Sequence, residues 1–247
     1  MTDEELVGII CPIFNDNSYK YYFSPSTIAV GKSLGLKGME FYVGGRGGAL
    51  GDCDGLLVAA AFGYFNPIII NAAWTLAIAK HPARSIGSVH YECAAVIGRE
   101  KLSALSNLAE FVAAMQKVFD AMDPDGLALF AAFKSLPLVE DLPGRAMQLA
   151  ASLREYRGSA HLVAVRVSGV SGIQAHFIKR PKDMKNFGWS ESEYPYVDDE
   201  TRARMVTAEE LTDALCIAPY SVLNETERAS LVAGAKAFEA AFAAAGA

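Results

Sequence analysis

The chain has 247 residues, of which 52% are hydrophobic and 20% charged, and its formal net charge is -6. These values are typical of a globular protein with a large core, and they exclude an intrinsically disordered chain. The acidic balance also argues against a protein held on nucleic acid by charge, because such binding needs clustered cations. The one basic cluster is residues 176–185, HFIKRPKDMK.

The four cysteines, Cys11, Cys53, Cys93 and Cys216, are widely spaced and contain no C-x-x-C pair. This spacing disfavours a structural zinc site. In a chain with ample core we expect buried, reduced thiols, with two disulfides as the alternative.

Membrane and export signals are weak. The N-terminus, MTDEELVGIICPIF, begins acidic and lacks the basic region of a secretory signal. The longest apolar stretch, residues 56–79, is interrupted by Gly63, Asn66 and Pro67, and therefore predicts two core helices rather than a membrane span. We expect a cytoplasmic protein with no membrane attachment.

The first helix is predicted from its capping signals. Residues 1–23 are expected to be a mixed lead-in. Ser24 and Pro25 then suit the start of a helix over residues 26–34, which Gly35 ends.

A glycine-rich segment, VGGRGGALGD, follows at residues 43–52. A regular helix is costly there, at roughly 1 kcal/mol for each glycine relative to alanine. The segment matches neither G-x-x-x-x-G-K-[ST] nor a strand-turn-helix G-x-G-x-x-G. A tight helix crossing in which Arg46 caps carbonyl groups is favoured over a loop that cradles an anion.

The middle of the chain predicts helices over residues 53–65 and 67–80, both apolar all round and therefore buried. An amphipathic helix over residues 103–122 and a short helix over residues 127–135 follow. His90 lies in an isolated H-x-E pair without ligand spacing, so a satisfied or solvated histidine is favoured over a metal ligand.

The long helix that begins near Arg145 is the most informative element. Arg154, Arg157 and His161 are spaced at i, i+3 and i+7, so they share one face of the helix. Gly158 follows Arg157 and leaves room for another backbone or a ligand. The opposite face is predicted to pack inward and consists of Leu149, Leu153, Tyr156, Ala160 and Val163.

A loop at residues 167–172 separates this helix from another that contains His176. A polar segment then leads to helices over residues 207–216 and 224–245. No alternating strand pattern is found, so the predicted fold is all-α, a multi-helix bundle. Residues 1–144 are expected to form an N-terminal helical layer, packed as one unit with the long helix and C-terminal part, residues 145–247.

The string LREYRGSAHLVAV at residues 153–165 resembles the L-R-E-H-R-G-D-x-H-V-A-A signature of a large, uncharacterised actinobacterial helical family. Further matching segments occur in the family's order over most of the chain, among them FYVGGRGGALG, FGYFNPIIINAAW and GWSESEY. The resemblance implies a helical fold whose C-terminal part is a degenerate helix-turn-helix or winged helix. It implies little about activity.

The chain departs from this family after GWSESEY. Residues 195–206, PYVDDETRARMV, are short and acidic where a recognition helix and wing are expected. A helix in the major groove needs cations and polar side chains aimed at base edges. Asp198, Asp199 and Glu200 would repel phosphate instead, so a DNA-binding regulator ranks last among the functions considered.

The favoured function is binding of a small molecule in a helical pocket. Arginines inside apolar helices need an anionic partner, which is either a ligand or a carboxylate such as Glu92, Glu140 or Asp141. Aromatic walls are expected from Tyr22, Tyr42, Tyr64, Phe65 and Trp74. The polar anchors are Arg46, Arg157 and His161, and the further ligand-binding candidates are Asn66, Arg154 and Gly158.

The second hypothesis is an enzyme that acts on a small apolar or aromatic substrate. His161 would be the acid-base residue, or the axial ligand of a haem, and Arg157 would hold an anionic group. No other metal site is predicted. G-x-S-x-G is absent, so the sequence offers no support for hydrolysis by a serine nucleophile.

Association of two chains is a further expectation. The final helix carries an apolar face that can pack on the same chain or on a second subunit of a homodimer. That face consists of Leu231, Ala235, Phe238 and Phe242.

Overall fold

Every regular element in residues 1–243, the part of the chain that the computed structural model describes, is helical. The all-α prediction is therefore confirmed for these residues. Residues 244 and 245 of the predicted last helix lie outside the described part. In chain order the helices are α1 (Asp3–Asn17), α2 (Pro25–Ser33), α3 (Gly38–Gly48), α4 (Gly55–Phe62), α5 (Pro67–Ile78), α6 (Ala83–Leu102), α7 (Leu108–Ala121), α8 (Ala128–Lys134), α9 (Leu142–Val167), α10 (Gly172–Lys179), α11 (Asp199–Ile217) and α12 (Glu225–Ala243).

The long helix α9 is the hub of the fold, and it packs against α1, α6, α7, α8 and α11. Asp141 begins it, because its side chain accepts a hydrogen bond from the Gly144 amide. Most of the predicted inward face is buried as expected, but Val163 is 40% exposed, so its assignment to that face was wrong. The main hydrophobic core takes residues from both the N-terminal and the C-terminal segments, from Leu6 to Phe242, and a second, smaller cluster includes Val165 and Met205.

Two helices replace segments for which no helix was predicted. The lead-in is helix α1, because Thr2 and Glu5 form a capping box with each other's backbone amides. Helix α6 contains His90, which is 1% exposed and whose Nε2 has no hydrogen-bond partner among the described residues. His90 is thus neither satisfied nor solvated, contrary to expectation.

The glycine-rich segment is the end of helix α3 rather than a loop. Its glycines permit a very close crossing with α6: a Cβ on Gly48 would lie 2.3 Å from the Ala83 carbonyl oxygen, and one on Gly45 would lie 2.3 Å from the His90 ring. The tight crossing was therefore predicted correctly. The predicted capping role of Arg46 was wrong, because its guanidinium pairs with a carboxylate instead.

Helices α4 and α5 are not buried all round. Val58, Phe62 and Trp74 face the core, but Leu57 is 61% exposed and Ile68 is 74% exposed. The apolar pattern alone could not reveal this, because outward-facing and inward-facing positions are equally apolar in this stretch.

The C-terminal helices also differ from expectation. Helix α11 begins at Asp199, eight residues before the predicted start, because Asp198 accepts a hydrogen bond from the Thr201 amide and the acidic run suits a helix N-terminus. Helix α12 packs its apolar face, including Leu231 and Phe238, against α1 and α7 of the same chain. No helix of residues 1–243 is long and apolar enough to cross a membrane.

Candidate functional site

A cavity of about 380 Å³ lies where the polar edge of α9 meets α3, α4, α10 and α11. Seven of the nine residues predicted from the sequence as a site line it. These seven are Tyr42, Arg46, Tyr64, Arg154, Arg157, Gly158 and His161. The structure thus brings together residues from two helices that are far apart in the chain, α3 and α9, and from the turn after α4.

The other two predicted residues have structural contacts instead. Asn66 caps α5, since its Oδ1 accepts from the Ile68 amide at 3.0 Å, and its Nδ2 donates to the Gly188 carbonyl at 3.2 Å. The buried Trp74 indole donates to the Cys53 carbonyl at 3.0 Å. Neither residue lines the cavity.

Glu155 organises the wall of the cavity beside α3. The Arg46 guanidinium donates to both of its oxygens, at 2.9 Å and 2.8 Å, and Arg154 donates at 3.0 Å. The Tyr22 hydroxyl donates to the same carboxylate at 2.9 Å, but Tyr22, predicted as part of the aromatic wall, does not line the cavity. Burial alone would raise the pKa of Glu155, but the two guanidinium groups hold it below its usual range.

Helix α11 supplies the carboxylates on the opposite side. Arg157 donates to Glu209 at 3.3 Å and to Asp213 at 3.0 Å, and Lys179 of α10 pairs with Glu209 at 2.7 Å. Burial raises the pKa of Glu209, but Lys179, His161 and Arg157 lower it more, and the carboxylate is held ionised.

The carboxylates proposed from the sequence as partners lie elsewhere. Glu92 and Asp141 both pair with Arg99, at 2.7 Å and 2.6 Å. Glu140 is exposed. The correct partners were missed because α9 and α11 are separated by more than thirty residues, and no local spacing connects them.

His161 has a well-defined orientation. Its Nδ1 lies 2.7 Å from Oγ1 of the buried Thr212, and its Nε2 lies 3.9 Å from Glu209 Oε1. Burial lowers the pKa of His161, and Arg157 and Lys179 lower it further, while Glu209 opposes them. The neutral ring therefore dominates near pH 7, which suits a base or a ligand.

Tyr64 is held over the two histidines of the cavity by a strained turn. Its φ of 61° is in the left-handed region, and its carbonyl oxygen accepts a hydrogen bond from the Trp189 indole at 2.7 Å. Its ring centroid lies 6.3 Å from that of His161 and 6.4 Å from that of His176. A non-glycine residue in this region costs roughly 1–3 kcal/mol, and such strain is concentrated at functional sites.

Polar atoms without partners are concentrated at this cavity. Within residues 1–243, nine buried side-chain nitrogen or oxygen atoms lack a hydrogen-bond partner, and five of them belong to residues that line the cavity. The five are Tyr64 Oη, Arg154 Nε, Arg157 Nε, Ser159 Oγ and His176 Nε2. An orphaned buried polar atom costs roughly 1–3 kcal/mol, so the lining of the cavity is suited to a polar partner.

Several cavity residues were not predicted from the sequence. These residues are His176, Lys179, Arg180 and Phe187, and they fall in or beside the basic cluster at residues 176–185, whose sequence alone does not predict a contact with the long helix. That cluster was the available signal, since a basic run on an acidic chain needs an explanation.

A haem at His161 gains no support from this geometry. The Nε2 side of the ring faces the Glu209 carboxylate and its ion pair with Lys179, whereas haem iron would need an open, largely apolar slot there. Among the described residues there is no group of three or more His, Cys, Asp or Glu side chains that could hold a metal ion. All four cysteines are free, as expected.

Comparison with known proteins assigns the chain to a family. The model of a helix-turn-helix family matches residues 17–247. No curated protein and no solved structure matches significantly. Because the family model covers nearly the whole sequence, the chain belongs to this helix-turn-helix family.

Proposed function

We propose that the protein binds a small, largely apolar molecule that carries an acidic group, in the cavity beside α9. The observation that carries this proposal is the concentration of unpartnered buried polar atoms among the residues that line the cavity. Folding alone does not satisfy these atoms, whereas a ligand with matching polar groups would.

The shape and composition of the cavity suit such a molecule. Its volume of about 380 Å³ falls in the range of small-molecule sites. Aromatic rings form much of the remaining wall, and Phe65 stacks on Phe187 with 4.0 Å between ring centroids. The aromatic lining residues are Tyr42, Phe62, Tyr64, Phe65 and Phe187.

The charge of the wall favours an anion. Five of the lining residues are cationic and two are acidic. Arg46 and Arg154 share the single carboxylate of Glu155, and Arg157 and Lys179 share Glu209. An arginine guanidinium binds a carboxylate in a planar, bidentate manner, so a ligand carboxylate could complete the unused donors of this wall.

The proposal is tested by calorimetric titration of the protein with benzoate and octanoate, and with benzamide as a neutral analogue. We expect the acids to bind and the amide to bind at least about tenfold more weakly. Arg157→Gln should weaken binding of the acids. Arg99→Gln is the matched control, because Arg99 also pairs with two carboxylates but does not line the cavity. Equal binding of benzoate and benzamide would overturn the proposal.

Catalysis on such a ligand is the second candidate, and the orientation of His161 favours it. A neutral imidazole with one nitrogen fixed by Thr212 can accept a proton at the other. An absorption spectrum of the purified protein tests the haem form of this hypothesis, because a Soret band would require it.

The actinobacterial source, the cytoplasmic location, the homodimer and the low rank of DNA binding stay predictions from the sequence.

A further inference from the structure

The hydrogen-bond pattern around His161 specifies one more chemical group of the ligand. The Thr212 hydroxyl donates to the Ala208 carbonyl oxygen, one turn earlier in α11, at 2.6 Å. Its only hydrogen is thereby used, so Thr212 Oγ1 acts as an acceptor toward His161 Nδ1 at 2.7 Å. The His161 proton therefore resides on Nδ1, and Nε2 carries the lone pair.

The surroundings of Nε2 do not satisfy that lone pair. The charged group nearest to it in the ion-pair network is the Glu209 carboxylate, at 3.9 Å. An ionised carboxylate has no hydrogen to donate, and Lys179 directs its ammonium to Glu209 at 2.7 Å. Nε2 is thus free to accept a hydrogen bond from a molecule in the cavity.

Tyr64 Oη presents the complementary requirement close by. It is buried, and no described residue is its hydrogen-bond partner. The backbone that carries this side chain is held in the left-handed turn, because the Tyr64 carbonyl accepts a hydrogen bond from the Trp189 indole. A phenol hydroxyl donates one hydrogen bond, so Tyr64 Oη needs an acceptor. The Tyr64 ring lies beside the His161 ring, whose Nε2 can accept from a donor.

A ligand hydroxyl group meets both needs, since it can donate to His161 Nε2 and accept from Tyr64 Oη. An ammonium group would lack the acceptor and would be repelled by the neighbouring arginines, and an ether would lack the donor. We propose, building on the acidic ligand proposed above, that the cavity is selective for hydroxy-substituted carboxylic acids, with the hydroxyl bound between His161 and Tyr64 and the carboxylate bound by the arginines.

The test compares benzoate, the three positional isomers of hydroxybenzoate and their methyl ethers on the wild-type protein. We expect at least one hydroxybenzoate to bind about tenfold more tightly than benzoate, and its methyl ether to lose that gain, because the ether cannot donate. Tyr64→Phe keeps the ring and should reduce the ratio of hydroxybenzoate affinity to benzoate affinity to a few-fold or less.

Thr212→Val provides a second variant that touches no ligand. It removes the acceptor that fixes the His161 proton on Nδ1, so the preference for the hydroxyl should fall while benzoate binding is retained. If benzoate binds but none of the hydroxybenzoates gains affinity, this inference fails and the proposed function stands. If none of the acids binds, both are overturned.

Discussion

Arg46 of α3 donates two hydrogen bonds to Glu155 of α9, from Nε at 2.9 Å and from Nη2 at 2.8 Å. Both side chains are buried, and the Arg46 guanidinium also lies 4.3 Å from the Phe62 ring centroid. This pair joins the glycine-rich helix α3 to the central helix α9 beside the cavity, which Arg46 lines. Its residues are 109 positions apart in the sequence.

We predict that Glu155→Gln destabilises the fold by about 3–5 kcal/mol, because removal of one partner leaves a buried charge uncompensated. Here the cost falls on two arginines, since Arg154 uses the same carboxylate. Urea denaturation would measure the loss. The double variant Arg46→Met, Glu155→Leu should be more stable than Glu155→Gln alone, and a loss below about 1 kcal/mol in Glu155→Gln would contradict the assigned role.

Two glycines should respond oppositely to alanine. A Cβ on Gly48 would lie 2.3 Å from the Ala83 carbonyl oxygen and 2.8 Å from the Gly87 nitrogen, both backbone atoms. We expect Gly48→Ala to destabilise by about 1–3 kcal/mol despite its better helix propensity. A Cβ on Gly158 would meet nothing within 4 Å, so Gly158→Ala should stabilise α9 by up to about 1 kcal/mol.

Gly158→Ala has a second, separable consequence. Because Gly158 lines the cavity, a methyl group there should narrow it and weaken ligand binding while the thermal stability rises. Gly38→Ala is the control, since Gly38 also has open space around it but does not line this cavity. A stabilised Gly158→Ala variant with unchanged affinity would show that the ligand does not approach this part of α9.

The sequence was most informative where one helix carries its own pattern. Apart from Val163, the faces of α9 followed from spacing alone, and the polar edge with Arg154, Arg157 and His161 does border a cavity. In helix α3 the sequence predicted the tight crossing, but the propensity of glycine argued against a regular helix there, whereas packing against α6 demands glycine at Gly48. Tertiary contacts decided that case, and they are not visible in local sequence.

The partners of the site could not be predicted for a similar reason. Glu155 is part of the LREYR string, yet the pattern does not reveal that its carboxylate serves Arg46 of another helix. The strained turn at Tyr64 likewise depends on Trp189, which lies 125 positions later. Contacts of this kind depend on how the helices are arranged, and periodicity describes only each helix by itself.

His90 should make the protein sensitive to acid. Burial lowers its pKa to about 3, with a smaller contribution from the Arg46 charge. The unfolded chain takes up a proton near pH 6.5 and the folded chain does not, so stability is lost as the pH falls through the window between about 6.5 and about 3. When the pH falls from about 7 to about 5.5, this histidine alone should lower the free energy of unfolding by about 1 kcal/mol.

Denaturation by urea at these two pH values measures the effect, and most carboxylates stay ionised at both. The pKa values of His161 and His176 are also lowered by burial, so they contribute in the same direction. His90→Leu should therefore reduce the pH dependence without abolishing it. An identical pH dependence in the wild type and in His90→Leu would refute the prediction.

Membership of a helix-turn-helix family makes binding to DNA the natural question, and the charges on the C-terminal helices predict a negative answer. Helix α11 contains five acidic residues and two arginines, and α12 contains three acidic residues and two basic ones. A protein that neutralises several phosphates must present cations, and its affinity then falls steeply with salt.

We expect no binding of a labelled mixed-sequence duplex at about 50 mM salt, measured by fluorescence anisotropy. Arg202→Glu, on the exposed side of α11, should leave this result unchanged. Micromolar affinity that weakens with added salt, and that Arg202→Glu reduces, would instead establish α11 as a phosphate-binding element.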